Sequence, residues 1–219
     1  MKKAGGPVAQ AHRRLATQQI LLPGEEKAGT RGVILHAALE LFAEHGFGGT
    51  SVRDIAKTAD VQPATMYAHF PSKQHVLAEI VKIGHDEHQR HLRAALLDGG
   101  ADPAEQLAGL VRAHVRFHAD FSMLAVVANA ELHALLPEFA AAALELRHQS
   151  EQMLLDLIQR GIRQRVFRVA QPKLALNAIG GMGVRVAHWY TPAYELSAKQ
   201  VADYYAQMAL RIVGVAAAG

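Results

Sequence analysis

Cysteine is absent from the chain, and aromatic residues are scarce. The 219 residues include no cysteine, one tryptophan and 6% aromatic residues in total. Without thiols, the chain cannot form a disulfide framework, a thiolate metal site or a cysteine nucleophile. No apolar run approaches the roughly 18 residues of a membrane span, and the first residues lack the apolar core of a signal peptide. We therefore expect a folded protein of the cytoplasm.

Charge is balanced except at the start of the chain. The formal net charge is +3, and residues 1–28 carry five lysines and arginines against two glutamates. All of the surplus therefore lies in this basic N-terminal arm, which can reach a phosphate backbone. A solvated and partly disordered tail explains the same composition.

Nearly every segment after the arm has helical spacing, and none alternates with the period of a strand. The sequence therefore predicts an all-α fold. The first helix carries one apolar stripe and ends at Gly46, where a left-handed residue would let Phe47 fold back on Phe42. The next helix is capped by Thr50 or Ser51. Prolines and capping residues mark the starts of the later helices, at Pro63, Ser72, Pro103, Pro137, Pro172 and Ser197.

The short helix that begins at Pro63 has a narrow outer face. At about 100° per residue, Met66 and Phe70 point to the core, whereas Ala64 and Ala68 point outward. Small side chains let a helix enter a DNA major groove, because bulky ones would hold the backbone away. The residues expected to face the bases are Gln62, Ala64, Thr65 and Ala68. An ordinary surface helix in a bundle remains the alternative for any one of them.

An ordered series of residues runs through positions 31–77: Ala37-Ala38-Leu39-Glu40-Leu41-Phe42, Gly46-Phe47, Thr50-Ser51-Val52-Arg53-Asp54-Ile55-Ala56, Ala59, Val61, Thr65-Met66-Tyr67-Ala68-His69-Phe70, Lys73 and Leu77. In its residues and in the gaps between them, this series resembles the DNA-binding domain of the TetR family of bacterial transcriptional regulators. The resemblance implies a three-helix helix-turn-helix domain at residues 29–78. It also implies DNA contacts, mostly to the backbone, from Ser51, Arg53, Thr65, Tyr67, His69 and Lys73.

The cations near the duplex allow a quantitative expectation. Arg53 and Lys73 are the two formal cations per subunit at this surface, so a dimer would neutralise about four phosphates. The logarithm of affinity should then fall against the logarithm of salt concentration with a slope of about −4, leaving the arms aside.

The resemblance assigns residues 79–219 to a helical ligand-sensing and dimerisation domain. The last helix carries a long apolar stripe, made of Val201, Tyr204, Tyr205, Met208, Ile212 and Val215. The stripe alone fits an internal core nearly as well as an interface, and the resemblance favours a symmetric homodimer. Such a dimer would place two recognition helices roughly 34 Å apart on palindromic double-stranded DNA.

A ligand pocket is expected in the same domain. Its candidate residues are Phe117, His118, Phe121, Leu124, Asn129, Leu132, Phe139, Arg147, Leu154, Arg185 and Trp189, although most of the apolar ones also fit a plain core. Parts of this half are similar to actinobacterial family members that sense lipid-like or acyl-thioester metabolites. This similarity implies a small effector of hydrophobic or acyl type. We therefore expect a repressor that such an effector releases from its operator.

Histidine spacing raises a competing hypothesis. His85, His88 and His91 stand at i, i+3 and i+6, and His114 and His118 stand at i and i+4, a spacing that two metal ligands on one helix can use. Cysteine and the H-E-x-x-H motif are both absent, so the sequence predicts neither a metal nor a cofactor. The alternative function is a helical enzyme, sensor or scaffold that uses histidine-bound metal and does not bind DNA. Because no nucleophile elbow, phosphate loop or paired-carboxylate motif is present, we do not expect an enzyme.

Overall fold

The computed structural model describes residues 22–23 and 29–215. Within these ranges the chain forms nine α-helices, one 3-10 helix and no strand, which confirms the all-α prediction. The helices are α1 Gly29–His45, α2 Val52–Thr58, α3 Pro63–His69, α4 Lys73–Asp98, α5 Pro103–Asp120, α6 Ser122–Ala130, the 3-10 helix Leu132–Ala134, α7 Pro137–Arg163, α8 Pro172–Trp189 and α9 Ala198–Ile212. None of these helices is both long and apolar enough to cross a membrane.

The chain packs into two compact units that do not follow chain order. Among the described residues, unit 1 comprises 22–23, 29–85 and 121–144, and unit 2 comprises 86–120 and 145–215. Helices α4 and α7 therefore each contribute one part to each unit. The domain boundary at residue 78 stays a prediction, and the predicted basic arm lies outside the described residues except for Leu22 and Pro23.

The core of unit 1 gathers apolar side chains from its helices and from Leu22. Ile34, Ala38 and Phe42 of α1 are buried in it, and Leu22 is fully buried in the same cluster. Helix α1 ends as the sequence predicts: Gly46 has a φ of 72°, and the Phe47 ring centroid lies 5.6 Å from that of Phe42.

The turn between α1 and α2 distinguishes the two candidate caps. Ser51 is the N-cap of α2. The Thr50 hydroxyl lies instead against carbonyls at the end of α1, 3.2 Å from the Leu41 oxygen and 2.9 Å from the Gly46 oxygen. Thr50 thus holds the turn, whereas Ser51 starts the helix.

Unit 2 is organised around α5, which packs against both α8 and α9. The predicted apolar stripe of α9 is split between two faces. Val201 lies in the core with Ala202, Ala206 and Ala209, whereas Tyr204, Met208 and Ile212 are exposed. The interior face of α9 is therefore built mainly from alanines, which the stripe did not include.

Candidate nucleic-acid interface

Helix α3 presents small side chains to solvent and large ones to the core. Met66 is fully buried and Phe70, just past the end of α3, is 2% exposed. Ala64 and Ala68 are both exposed on the opposite side. The inward and outward faces that the sequence predicts are therefore the ones observed.

Polar groups surround the exposed alanines of α3. Gln62 is the N-cap and holds an extended backbone with φ −72° and ψ 146°, but its side chain does not cap the helix. Since the side chain is also exposed, its amide is available to a base edge or a phosphate. Tyr67 is 53% exposed, His69 is exposed and Thr65 is half-buried.

Ser51 starts α2 through a reciprocal capping box. Its hydroxyl accepts a hydrogen bond from the Asp54 N–H at 3.1 Å, and Asp54 Oδ2 accepts one from the Ser51 N–H at 2.9 Å. Hydrogen bonding to the Asp54 carboxyl from the Ser51 side chain, and then from the Ser51 backbone N–H, lowers the pKa of that carboxyl. The Ser51 hydroxyl therefore serves the cap both as the acceptor from the Asp54 N–H and as a donor toward the Asp54 carboxyl.

Arg53 follows the cap of α2 and is exposed. Its side chain has neither an ion pair nor a hydrogen bond to any residue that the structure describes. A free guanidinium next to the first turn of α2 can bind a phosphate through two parallel hydrogen bonds.

Lys73 has a different environment from the one expected of a simple phosphate contact. Its ammonium donates to the Phe47 carbonyl at 2.6 Å and to the Thr50 carbonyl at 2.7 Å. It also lies 4.0 Å from the centroid of the Phe47 ring. Partial burial lowers the Lys73 pKa, and the Glu131 carboxylate opposes that shift. Two of its three N–H donors therefore fasten the α1–α2 turn to the start of α4.

Arg31 supports the interface and was not singled out from the sequence. Its guanidinium pairs with Glu79 at 3.0 Å, donates to the carbonyl of His69 at 3.4 Å and lies 4.3 Å from the centroid of the Phe70 ring. These contacts connect α1, the end of α3 and α4. The partners are 38 to 48 positions away along the chain, so no local pattern indicates them.

The predicted ligand residues are divided between the two units. Unit 1 holds Phe121, Leu124, Asn129, Leu132 and Phe139, and unit 2 holds Phe117, His118, Arg147, Leu154, Arg185 and Trp189. Several of their polar groups have local partners. Asn129 donates to the Ala125 carbonyl at 2.8 Å, and Arg147 pairs with Glu151 at 3.1 Å on the surface.

Unit 2 contains a cavity of about 770 Å³ that is lined by residues other than the predicted ligand residues. It lies among α4, α5, α9 and the turn after α4, and its wall includes Asp98, Arg112 and Leu210. None of the eleven predicted ligand residues belongs to that wall. The predicted ligand pocket therefore stays a prediction.

Two family models match the chain. The model of bacterial regulatory proteins of the tetR family matches residues 34–80, which contain α2 and α3. The model of the tetracyclin repressor-like C-terminal domain matches residues 100–213. Together they cover the helices of the candidate interface and most of the rest of the chain.

Relatives and solved structures agree with these matches. The transcriptional repressor KstR2 of Mycobacterium tuberculosis is 30% identical over 182 residues, which are 82% of this chain and 90% of the relative. A tetR-family regulatory protein from Rhodococcus RHA1 superposes with a TM-score of 0.80 at 30% identity, covering 86% of this chain and 99% of that one. AibR in complex with isovaleryl coenzyme A and operator DNA shares the fold, with a TM-score of 0.72 at 23% identity over 82% of this chain and 97% of AibR.

The fold, the exposed face of α3 and the similarity over most of the chain agree with one another. The chain belongs to the TetR family of bacterial transcriptional regulators.

Proposed function

We propose that the chain is a homodimeric repressor whose α3 enters the major groove of a palindromic operator and which a small acyl-type effector releases. The observation that carries the proposal is the outer face of α3, where Ala64 and Ala68 are exposed beside Gln62 and Tyr67. Such a face lets the helix backbone approach the base edges, because no long side chain holds it away. The KstR2 relative is itself a transcriptional repressor.

The contacts divide into base readout and backbone anchoring. Alanine offers a base only apolar contact with a thymine methyl, so hydrogen-bond readout falls to Gln62 and Thr65. Ser51, Arg53, Tyr67 and His69 are also exposed and would hold phosphates. With two alanines at the centre, much of the sequence preference would come from groove shape.

Dimerisation is supported by an apolar surface on unit 2. Tyr204, Met208 and Ile212 are spaced at i, i+4 and i+8 on α9 and are 54%, 45% and 40% exposed. On α8, Leu174 is 66% exposed, and nothing lies within 4 Å of a Cβ built on Gly181. A self-complementary pairing of these two helices with their symmetry mates would bury this surface.

An acyl-type effector is supported by the relatives' chemistry. AibR binds isovaleryl coenzyme A together with operator DNA, and the C-terminal segments of this chain are similar to acyl-thioester sensors. We place the protein in the cytoplasm of a bacterial cell, because its operator DNA is there.

The test begins with selection of bound DNA from a random pool, followed by fluorescence anisotropy on the selected site. We expect a palindromic site and a complex of two chains per duplex. Acyl thioesters of increasing chain length are then titrated into the complex, and release by a subset of them is the expected result. Absence of any enriched sequence would overturn the operator proposal, and absence of release at every chain length would overturn the effector class.

A further inference from the structure

Three histidines from two helices converge inside unit 2. His88 lies on α4, and His114 and His118 lie one turn apart on α5. One ring nitrogen from each lies within 4.8 Å of the other two, and the Nε2 of His88 is 2.8 Å from the Nδ1 of His114. The sequence spacing groups His88 with His85 and His91, and separately groups His114 with His118, but it does not join the two sets because His88 is 26 positions away from His114.

The backbone fixes the tautomers of the two histidines on α5. His114 Nε2 lies 3.0 Å from the Gly180 carbonyl oxygen, and His118 Nδ1 lies 2.8 Å from the His114 carbonyl oxygen. A carbonyl only accepts, so each of these nitrogens carries a proton. His114 then has its lone pair on Nδ1, which faces His88, and His118 has its lone pair on Nε2. Histidines that bind metals commonly donate their other ring N–H to a carboxylate, a backbone carbonyl or a water molecule.

The surroundings of the cluster are buried and closely packed. His114 and His118 are 8% and 2% exposed. The ring of Phe117 packs at 5.1 Å from His88 and 5.2 Å from His118, measured between ring centroids. A Cβ on Gly183 would collide with the His114 ring, so glycine at that position leaves room for the imidazole.

We propose that His88, His114 and His118 form a binding site for a divalent transition metal ion of the zinc class. Three neutral imidazoles suit zinc and its neighbours, and three protein ligands leave a fourth position for water or another small ligand. His88 would bind through Nε2 and carry its proton on Nδ1, so its change of tautomer releases no net proton. The proposal is independent of DNA binding.

The geometry requires only small side-chain movements. A tetrahedral ion at about 2.0–2.1 Å from each nitrogen separates the nitrogens by about 3.3–3.4 Å. The His88–His114 pair, at 2.8 Å, would open by about half an ångström, and no other pair would need to close by more than about 1.5 Å. Rotations of the imidazole rings can supply these changes.

The experiment uses the full chain, freed of metal with a chelator and then titrated with Zn²⁺ against a chromophoric chelator. Co²⁺ is titrated separately, because a tetrahedral Co²⁺ site has intense visible absorption. We expect one ion per chain and the tetrahedral Co²⁺ spectrum. His88→Ala and His118→Ala should each weaken Zn²⁺ binding by at least about 100-fold, since loss of a ligand should exceed the loss of a group that only hydrogen-bonds to a ligand.

A matched control tests whether Zn²⁺ binding depends on these three histidines and not on histidines elsewhere in the chain. His148→Ala removes an exposed histidine of α7 and should leave stoichiometry, affinity and spectrum unchanged. If circular dichroism shows that His118→Ala does not fold, the test uses His88→Gln in its place, because His88 is less buried than His118. Absence of Zn²⁺ binding would overturn the proposal and leave a hydrogen-bonded histidine core. Binding that survives both His88 and His118 variants would overturn it as well.

Discussion

The ammonium of Lys73 lies over the ring of Phe47 at 4.0 Å and donates a hydrogen bond to the Phe47 carbonyl. Phe47 in turn packs on Phe42. The lysine therefore closes the α1–α2 turn against the start of α4. Although the resemblance predicts Lys73 to be a DNA contact, its hydrogen bonds also give it a part in holding the turn that carries Ser51.

Replacing Lys73 should destabilise unit 1. Hydrogen bonds to charged groups typically contribute about 1.5–3 kcal/mol each, and partial exposure reduces this value. We expect Lys73→Gln to lower the free energy of unfolding by about 1–3 kcal/mol in urea titrations followed by circular dichroism. Lys57→Gln, which changes an exposed lysine of α2, is the matched control and should cost less than about 0.5 kcal/mol. Equal effects of the two substitutions would contradict the role of Lys73 in the turn.

The salt dependence of operator binding should separate Arg53 from Lys73. Each neutralised phosphate contributes about −0.9 to the log–log slope, so loss of one contact per subunit changes the slope of a dimer by about 2 units. We expect this change for Arg53→Gln. Lys73→Gln should change it by less than about 1 unit, because its N–H groups are held by two carbonyls. The log–log salt slope of the unmodified protein, after the contribution of the N-terminal arm is subtracted, should then lie nearer −2 than the −4 expected from the sequence.

Enlarging the outer face of α3 should weaken operator binding without loss of folding. Ala64→Leu or Ala68→Leu adds bulk at exposed positions, which would hold the helix away from the groove. We expect affinity in fluorescence anisotropy to fall at least about tenfold, or about 1.4 kcal/mol, with an unchanged melting temperature. Ala142→Leu, at an exposed site on α7, provides the control. Operator affinity that tolerates leucine at both positions would refute the docking of α3.

A charge on the exposed face of α9 should dissociate the dimer. Tyr204→Glu and Met208→Glu would each place a carboxylate in the proposed apolar interface, where its desolvation is costly. Sedimentation equilibrium should then show monomers at concentrations where the unmodified chain is dimeric. Gln207→Glu lies on the same helix and is also exposed, and it tests whether charge alone matters. If Tyr204→Glu and Met208→Glu both stay dimeric, another surface forms the dimer.

The capping box of α2 should make stability depend on pH. Hydrogen bonds from the Ser51 side chain and backbone N–H hold the pKa of the Asp54 carboxyl below its usual range. A carboxyl with a lowered folded-state pKa stabilises the fold above the unfolded value, and this contribution is lost as the pH falls through the folded pKa. Asp54→Asn keeps an acceptor without the charge. The difference in unfolding free energy between the unmodified protein and Asp54→Asn should be largest near pH 7 and should decrease below about pH 4. A gap that does not change with pH would contradict the role of the ionised carboxylate.

Local signals were sufficient for the helices and for the face of α3. The end of α1 depends on Gly46 and its neighbour Phe47, and the start of α3 depends on Pro63, all within one or two turns. The orientation of Ala64 and Ala68 follows from the helical period alone. Features set by neighbouring residues could therefore be predicted from the sequence.

Contacts across long sequence distances could not be predicted. Lys73 binds backbone carbonyls, which every residue has, so the identities of Phe47 and Thr50 carry no signal for it. Arg31 meets Glu79 from 48 positions away, and His88 meets His114 only because α4 and α5 pack together. On α9, the sequence showed an apolar stripe, but only the packing against α5 shows that its alanines lie inside and Tyr204 outside.

The burial of Leu22 limits how far the protein can be trimmed. Although it belongs to the stretch whose composition also fits a solvated, partly disordered tail, its side chain fills a place in the hydrophobic centre of unit 1. Removing a buried leucine typically costs about 2–5 kcal/mol. A shortened version beginning at residue 29, where the first described helix starts, would therefore lose part of its own interior, whereas one that keeps Leu22 would retain it.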